Sequence, residues 1–241
     1  MPALRKIKLT ILVVLLILST AATSWAIPTL QLDIAGGTYD TMTETIVSTT
    51  SSFTLSALLI PGSSSKLSDR YFISAALRPV TVPPGGSYGS FIFDGNTVNV
   101  TSGMVYGVPP LEFNVTFDSG DLSKHDIFET YFQEFGFYFN QNNKTLAYNT
   151  QDNAGQGPTQ NSNGTMYYAN FSVNTSNLAA GYGIHFDLYN ETICKNGDID
   201  RNKFAPFSHD AEYKQVPEPT IILLLGLGLI GLAGARRKLK K

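Results

Sequence analysis

Short stretches in which apolar and polar residues alternate recur along this chain, and they constrain its fold more than any other feature. Residues 30–34, 53–57 and 113–117 each place an apolar side chain at every second position. That period is typical of a β-strand with one buried face, because successive side chains of a strand point to opposite sides of the sheet. Further strands are predicted at 71–77 and within 135–139, 166–173 and 184–188.

The connections between these stretches favour an antiparallel arrangement. Residues 91–93 and 96–100 flank Asp94-Gly95, the dipeptide that a two-residue hairpin turn prefers. Gly, Pro and Asn separate the other stretches, which gives eight or nine short strands in all. The sequence therefore predicts an all-β protein, an antiparallel β-sandwich of jelly-roll-like or immunoglobulin-like type. One short helix is predicted at 121–132, and a polar, mobile loop at 149–164.

The first 26 residues have the order of a secretory signal peptide. Arg5, Lys6 and Lys8 precede an apolar stretch at 9–18, and Ser24 and Ala26 flank Trp25 in a small-x-small cleavage site. The apolar stretch is shorter than the roughly 20 residues that a membrane span needs. We expect a signal peptidase to cut after Ala26 and to release a body of residues 27–215; the alternative is a retained N-terminal anchor.

The last residues, 216–241, combine three features in a fixed order. Pro217, Glu218 and Pro219 come first, an apolar run dotted with glycines follows at 220–235, and Arg236 and Arg237 open a basic end. We predict a single hydrophobic helix that contacts the membrane, although the run is short for a full span. The basic end would remain in the cytoplasm and the body would face the periplasm.

This order resembles the PEP-CTERM sorting tag of Gram-negative bacteria. The resemblance implies that Pro217, Glu218 and Pro219 form the recognition triplet and that Arg236 and Arg237 stop transfer. It also implies an exosortase as the processing partner and a host that makes exopolysaccharide or biofilm matrix. The alternative is a plain C-terminal anchor that keeps the protein in the membrane permanently.

The charge of the body excludes one class of function. The two ends carry eight of the 17 Lys and Arg residues and one of the 19 acidic residues, so the body holds nine basic and 18 acidic residues, a net charge of about −9. Such a surface is repelled by phosphate backbones, which excludes a nucleic-acid partner and makes divalent cations better candidates. The single cysteine, Cys194, is expected to be a buried thiol, with an intermolecular bridge or lipid attachment as the alternative.

Few residues suggest a metal or catalytic site. Asp198, Asp200 and Asn202 have the spacing of the start of a calcium loop, but Lys203 and His209 stand where an EF-hand needs Gly and Glu. A looser calcium site is the alternative to a solvated acidic turn there. The three histidines, His125, His185 and His209, lack zinc-ligand spacing. Ser208-His209-Asp210 holds the three triad residue types, but adjacency in sequence does not build a triad. We therefore predict no catalytic residue, no enzyme and no cofactor other than calcium.

Seven Asn-x-Ser/Thr sequences are candidate glycan acceptors. Because Asn, Ser and Thr are all common here, we expect these matches to be compositional. The seven are Asn99, Asn114, Asn143, Asn163, Asn170, Asn174 and Asn190.

The body also resembles the exported family called choice-of-anchor N proteins. The resemblance lies in residues 30–34, 36–40, 104–110, 125–132 and 204–211. It implies a surface domain that is combined with different anchors, and it assigns no catalytic residue. We expect an exported protein of the cell surface or extracellular matrix, structural or adhesive in exopolysaccharide or biofilm. The alternatives are a carbohydrate-binding module, assisted by calcium, and a surface glycoside hydrolase.

Overall fold

The computed structural model describes residues 27–63, 65–79, 86–107, 109, 129–193, 199–205 and 209–215. For 191–193 and 199–204 it describes the backbone alone. The signal peptide, Asn114, Cys194, Asp198, Ser208 and the sorting segment therefore lie outside the described residues. The part of the chain that is described contains no helix of the length and hydropathy that crossing a membrane requires.

The described chain is almost entirely β-structure in two sheets. The strands of the first sheet are β1 (Leu30–Ile34), β4 (Ser52–Leu59), β6 (Ser90–Phe93), β7 (Asn96–Asn99), β10 (Lys144–Thr145) and β11 (Met166–Asn174). Those of the second are β2 (Thr38–Asp40), β3 (Thr45–Ser48), β5 (Arg70–Arg78), β8 (Val105–Gly107), β9 (Thr130–Phe137), β12 (Gly183–Ile193), β13 (Ile199–Phe204) and β14 (Ala211–Tyr213). The first sheet has the order β1-β4-β11-β6-β7, with β10 beside β11, and the second has the order β2-β3-β14-β12-β5-β9-β8, with β13 beside β12.

One hydrophobic core receives side chains from both sheets. Phe53 of β4 packs edge-on against Phe186 of β12, with ring centroids 6.2 Å apart. Phe93 of β6 stacks on Phe135 of β9 at 4.0 Å. Ring contacts of this kind stabilise the fold beyond the contribution of the apolar ring area that is removed from water. The main feature of the predicted sandwich, two sheets around a shared core, is thus present.

Several predicted strands are confirmed. The alternating stretches at 30–34, 53–57, 71–77, 166–173 and 184–188 all lie within strands. The hairpin is also present: Asp94 and Gly95 have φ of 47° and 81°, and Phe93 pairs with Asn96. Positive φ at both central residues is what the predicted turn requires.

Three expectations need correction. The second sheet is mixed, since β14 pairs with β3 in parallel. The end of the predicted helix, at 130–132, belongs to β9, where Tyr131 and Phe135 turn towards the core with a strand's period. Residues 121–128 of that prediction lie outside the described residues. The predicted mobile loop at 149–164 is held to β1: the Gly155 and Gly157 amides both donate to the Asp33 carboxylate.

The second sheet is unusual on the face that points away from the core. Ile184, Phe186 and Leu188 of β12 enter the core, so His185 and Asp187 point to the opposite face. These two side chains are nevertheless buried, with residue exposures of 3% and 1%. Ser74 of β5 and Glu212 of β14 are buried on the same face. This second buried layer therefore combines polar side chains with apolar ones, since Phe72 of β5 stacks on Tyr189 of β12 with ring centroids 5.5 Å apart.

Candidate functional site

Five ionisable side chains meet on this outer face and form what we call the buried charge cluster. They come from three adjacent strands and one residue that precedes a strand. The members are Arg78 of β5, His185 and Asp187 of β12, Asp210, and Glu212 of β14.

The strand register explains why these residues meet. His185 lies opposite Glu212 in the β12–β14 pair, and it lies opposite Ala76, whose small side chain leaves room, in the β12–β5 pair. Asp210 directly precedes β14. Since side chains two residues apart share a face of a strand, His185 and Asp187 are neighbours, as are Asp210 and Glu212.

The distances within the cluster are short. His185 Nε2 lies 3.0 Å from Asp187 Oδ1 and 3.9 Å from Asp210 Oδ2. On its other side, His185 Nδ1 lies 3.9 Å from Glu212 Oε2, too far for a direct hydrogen bond. Arg78 closes the cluster by donating from a guanidinium nitrogen to Glu212 Oε2 at 2.9 Å. His185 is thus surrounded by three carboxylates.

These neighbours decide the protonation of the imidazole and of Glu212. Burial by itself lowers the pKa of His185, but the carboxylates of Asp187, Glu212 and Asp210 together outweigh it and hold the pKa well above the usual range. Burial raises the pKa of Glu212, whereas His185 and Arg78 lower it by more, so its net shift is downward. With no other cation bound, the imidazole therefore carries a proton at neutral pH.

Two polar atoms on facing residues of β5 and β12 have no hydrogen-bond partner among the described residues. They are Ser74 Oγ and Asp187 Oδ2, both fully buried. Ser74 and Asp187 lie directly opposite each other in the register of β5 and β12. Most buried polar side-chain atoms in proteins have a partner, so this pair indicates that a further polar species belongs between or beside them.

Three members of the cluster could hold a metal ion. One donor atom from each of His185, Asp187 and Asp210 lies within 4.8 Å of the others. This site was not predicted from the sequence, because its single histidine has no second histidine or cysteine at zinc-ligand spacing. The signal was available: in 184–188 the positions between the apolar residues are His and Asp, and the positions around Ala211 are Asp and Glu.

The other candidate residues are placed as follows. Asp200 and Asn202, the weak calcium candidates, lie in β13, a strand that pairs with β12. His209 and Asp210 take part in different contacts: His209 Nε2 bonds to Asn149 Oδ1 at 2.9 Å, whereas Asp210 faces His185. Burial lowers the pKa of His209 to about 4, so its ring is neutral near pH 7.

The candidate acceptor asparagines differ in exposure. Asn99, Asn163 and Asn170 are exposed, and Asn143 and Asn174 are half-buried. Asn190 is fully buried. An enzyme that transfers a glycan to the folded body would reach the first three most easily.

Lys214 and Gln215, the last described residues before the sorting segment, are held to the body by hydrogen bonds and an ion pair. Lys214 Nζ contacts Asp40 Oδ2 at 2.8 Å, and the backbone amide of Lys214 donates to Ser48 O. Gln215 Oε1 then accepts from the Gly181 amide at 2.6 Å. The strand that leads into the segment is therefore anchored in the middle of the second sheet, between β3 and β12.

Comparison with known proteins supports the interpretation of the segment that follows. Residues 215–238 match the PEP-CTERM protein-sorting motif. This match supports exosortase-dependent sorting of an exported protein, with an exosortase as its processing partner and a surface or extracellular destination. No curated protein and no solved structure matches the chain. The resemblance of the body to choice-of-anchor N proteins stays a prediction.

Proposed function

We propose that this chain is a structural or adhesive protein of the cell surface or extracellular matrix of a Gram-negative bacterium. The sorting motif at 215–238 carries the proposal. The chain would pass the inner membrane with its body in the periplasm, and an exosortase would then process it at Pro217-Glu218-Pro219. The body would be deposited among exopolysaccharide as a folded unit.

Two properties of the body support a structural role. Its net charge of about −9 keeps it soluble and allows divalent cations to bridge it to acidic polysaccharide. Its described part is closed around one large core, and the carboxylates that come together, those of Asp187, Asp210 and Glu212, are buried. A glycoside hydrolase needs two carboxyl groups facing each other across an open cleft, which this arrangement does not offer.

The test replaces Pro217, Glu218 and Pro219 together by alanine in the native host. We expect the variant to accumulate in the inner membrane and to be lost from the surface and matrix fractions, with less surface-attached biomass. Val216→Ala is the matched control, since it changes the neighbouring residue and leaves the triplet intact. Unchanged fractionation of the triple variant would refute recognition through the triplet, and normal biomass despite mislocalisation would refute the structural role.

One observation favours carbohydrate binding as a second candidate function. An open pocket of about 290 Å³ lies at the ends of β5, β12 and β14, and its lining includes Arg78, Glu212, Lys214, Gln215 and Tyr182. An aromatic ring with several hydrogen-bonding groups is a common way to hold a sugar. The exposed aromatic platform that an extended glycan would use is small, because Tyr138 is the one aromatic residue among the strongly exposed large apolar residues of the described chain.

A pull-down on the host's own polysaccharide, with and without chelator, tests this second function. Retention that Tyr182→Ala abolishes, and that Tyr138→Ala leaves intact, would assign sugar binding to the pocket. Equal recovery of wild type and Tyr182→Ala would refute sugar binding at the pocket.

A further inference from the structure

We propose that His185, Asp187 and Asp210 bind one divalent first-row transition-metal ion inside the body. This ion would hold β14, the last described strand before the sorting segment, against β12. The proposal is independent of where the chain is delivered. It rests on the positions of three donor atoms, on two buried polar atoms beside them, and on the charge of the cluster.

The spacing of the donor atoms fits a single ion. An ion about 2.0–2.2 Å from each donor places neighbouring donors about 3 Å apart and opposite ones about 4 Å apart in octahedral geometry, and all donors about 3.5 Å apart in the tetrahedral geometry of zinc. His185 Nε2 is 3.0 Å from Asp187 Oδ1 and 3.9 Å from Asp210 Oδ2, and all three donors fall within 4.8 Å of one another. Small side-chain rotations would bring each donor to the same centre.

The atoms beside the donors supply a second, independent indication. Asp187 Oδ2 and Ser74 Oγ are buried on facing residues, and neither has a hydrogen-bond partner among the described residues. A cation held by Asp187 satisfies its second oxygen directly, or through a metal-bound water that also bonds to Ser74. Buried polar atoms without such a partner are expensive, since each costs about 1–3 kcal/mol.

The charges of the cluster favour the same conclusion. Three carboxylates, those of Asp187, Asp210 and Glu212, face one guanidinium, that of Arg78, so these four groups carry a formal charge of −2. A divalent ion brings this sum to zero. Neutral groupings are strongly preferred in a buried site, where unbalanced charge is poorly solvated.

The donor set selects the class of metal. One imidazole and two carboxylates suit zinc, manganese or ferrous iron, whereas calcium prefers six to eight oxygen ligands. Full burial of the three residues points to a structural ion and not to one that binds substrate.

The location gives the ion a mechanical role. Asp210 directly precedes β14, and β14 leads to Gln215, the last described residue before the sorting segment. β14 is short, with three residues, and packs between β3 and β12. A metal bond from Asp210 to β12 would hold this strand in place, since metal-binding free energy adds directly to folding free energy.

The test uses the full-length chain purified in detergent. The metal content is measured on purification, and thermal unfolding is then followed after chelation and after addition of Zn²⁺, Mn²⁺, Ca²⁺ or Mg²⁺. We expect about one transition-metal ion per chain, and Zn²⁺ or Mn²⁺ at a hundredfold excess over its Kd should raise Tm by about 5–10 °C. Co²⁺ should give a visible absorption spectrum typical of nitrogen and oxygen ligation.

Variants locate the ion. Asp187→Asn should lose the Zn²⁺ or Mn²⁺ response, whereas Asp94→Asn, the same change in an exposed turn, should keep it. Should Asp187→Asn fail to fold, the metal content and the Co²⁺ spectrum of the wild type still decide the matter. A wild type that purifies without metal and shows no Tm response to Zn²⁺ or Mn²⁺ would overturn the proposal, as would a response to Ca²⁺ alone or an undiminished response in folded Asp187→Asn.

Discussion

The substitution Asp33→Asn probes the hydrogen bonds that hold the polar loop at 149–164 to strand β1. Asp33 is fully buried, and its two oxygens accept from three donors. Oδ1 accepts from the Gly155 amide at 2.8 Å, and Oδ2 accepts from the Gly157 amide at 2.9 Å and from the Tyr148 hydroxyl at 3.1 Å. All three are donors, so a carboxylate satisfies them and an amide cannot.

The expected cost follows from this geometry. Asparagine keeps one accepting oxygen, best placed at the Oδ2 position, and then its NH₂ group opposes the Gly155 N–H. The loss is one charge-assisted hydrogen bond, about 1.5–3 kcal/mol, together with a poorly paired donor. Burial raises the pKa of Asp33, which means that the carboxylate is costly to bury and that removing its charge recovers part of the loss. We expect a net destabilisation of about 2 kcal/mol.

Urea and thermal unfolding followed by circular dichroism measure this change, with Tm expected to fall by about 4–8 °C. Asp94→Asn is the matched control, because Asp94 is exposed at a turn with φ of 47°, a conformation that asparagine also tolerates. Hydrogen exchange adds a local readout: the Gly155 amide should exchange faster, and the Gly157 amide should change less. An Asp33→Asn variant as stable as Asp94→Asn would show that the Asp33 carboxylate does not hold the loop to β1.

Three further changes have defined outcomes. Burial lowers the pKa of His209 to about 4, so the folded protein favours the neutral imidazole. The stability that the neutral ring contributes should be complete above pH 6.5, its ordinary pKa, and should fall by about 3 kcal/mol as the pH drops to 4. Urea titrations at each pH measure this slope, and His209→Gln should flatten it. Phe186→Ala should lower the free energy of unfolding by about 3–5 kcal/mol, because Phe186 is fully buried against Phe53. Tyr138→Ala, at an exposed site, should change it by less than about 0.5 kcal/mol, and equal losses in the two variants would contradict the described core. Gly155→Ala should destabilise the fold by about 2 kcal/mol or more, because φ is +81° and a Cβ atom would lie 2.2 Å from Gly37 O; a neutral substitution would mean that the loop does not pack on β1 as described.

The sequence predicted those parts of the fold that depend on local patterns. The alternation at 30–34 and 71–77 and the Asp94-Gly95 turn are local signals, and they mark strands and a hairpin that the structure contains. Short strands were missed: β2, β10 and β14 have two or three residues each, too few to show a period. Their strand conformation depends on partners distant in the sequence, such as β3 for β14.

The buried charge cluster could be predicted only in part. The alternation at 184–188 places His185 and Asp187 on one face, but nothing local shows that this face is buried. The approach of Asp210 depends on the pairing of β12 with β14, which the sequence does not reveal. Likewise, the composition of 149–164 is typical of a mobile loop, whereas its order comes from Asp33, more than a hundred residues earlier.

Exosortase-dependent sorting is tested most directly by the intact mass of the protein recovered from its native host, determined separately for each cell fraction. Exosortase-dependent sorting predicts a species in the outer or extracellular fraction that has lost both residues 1–26 and the segment after the Pro217-Glu218-Pro219 triplet. A single species that retains residues 220–241 and occurs only in the inner membrane would contradict it, and would make the chain a permanently anchored protein.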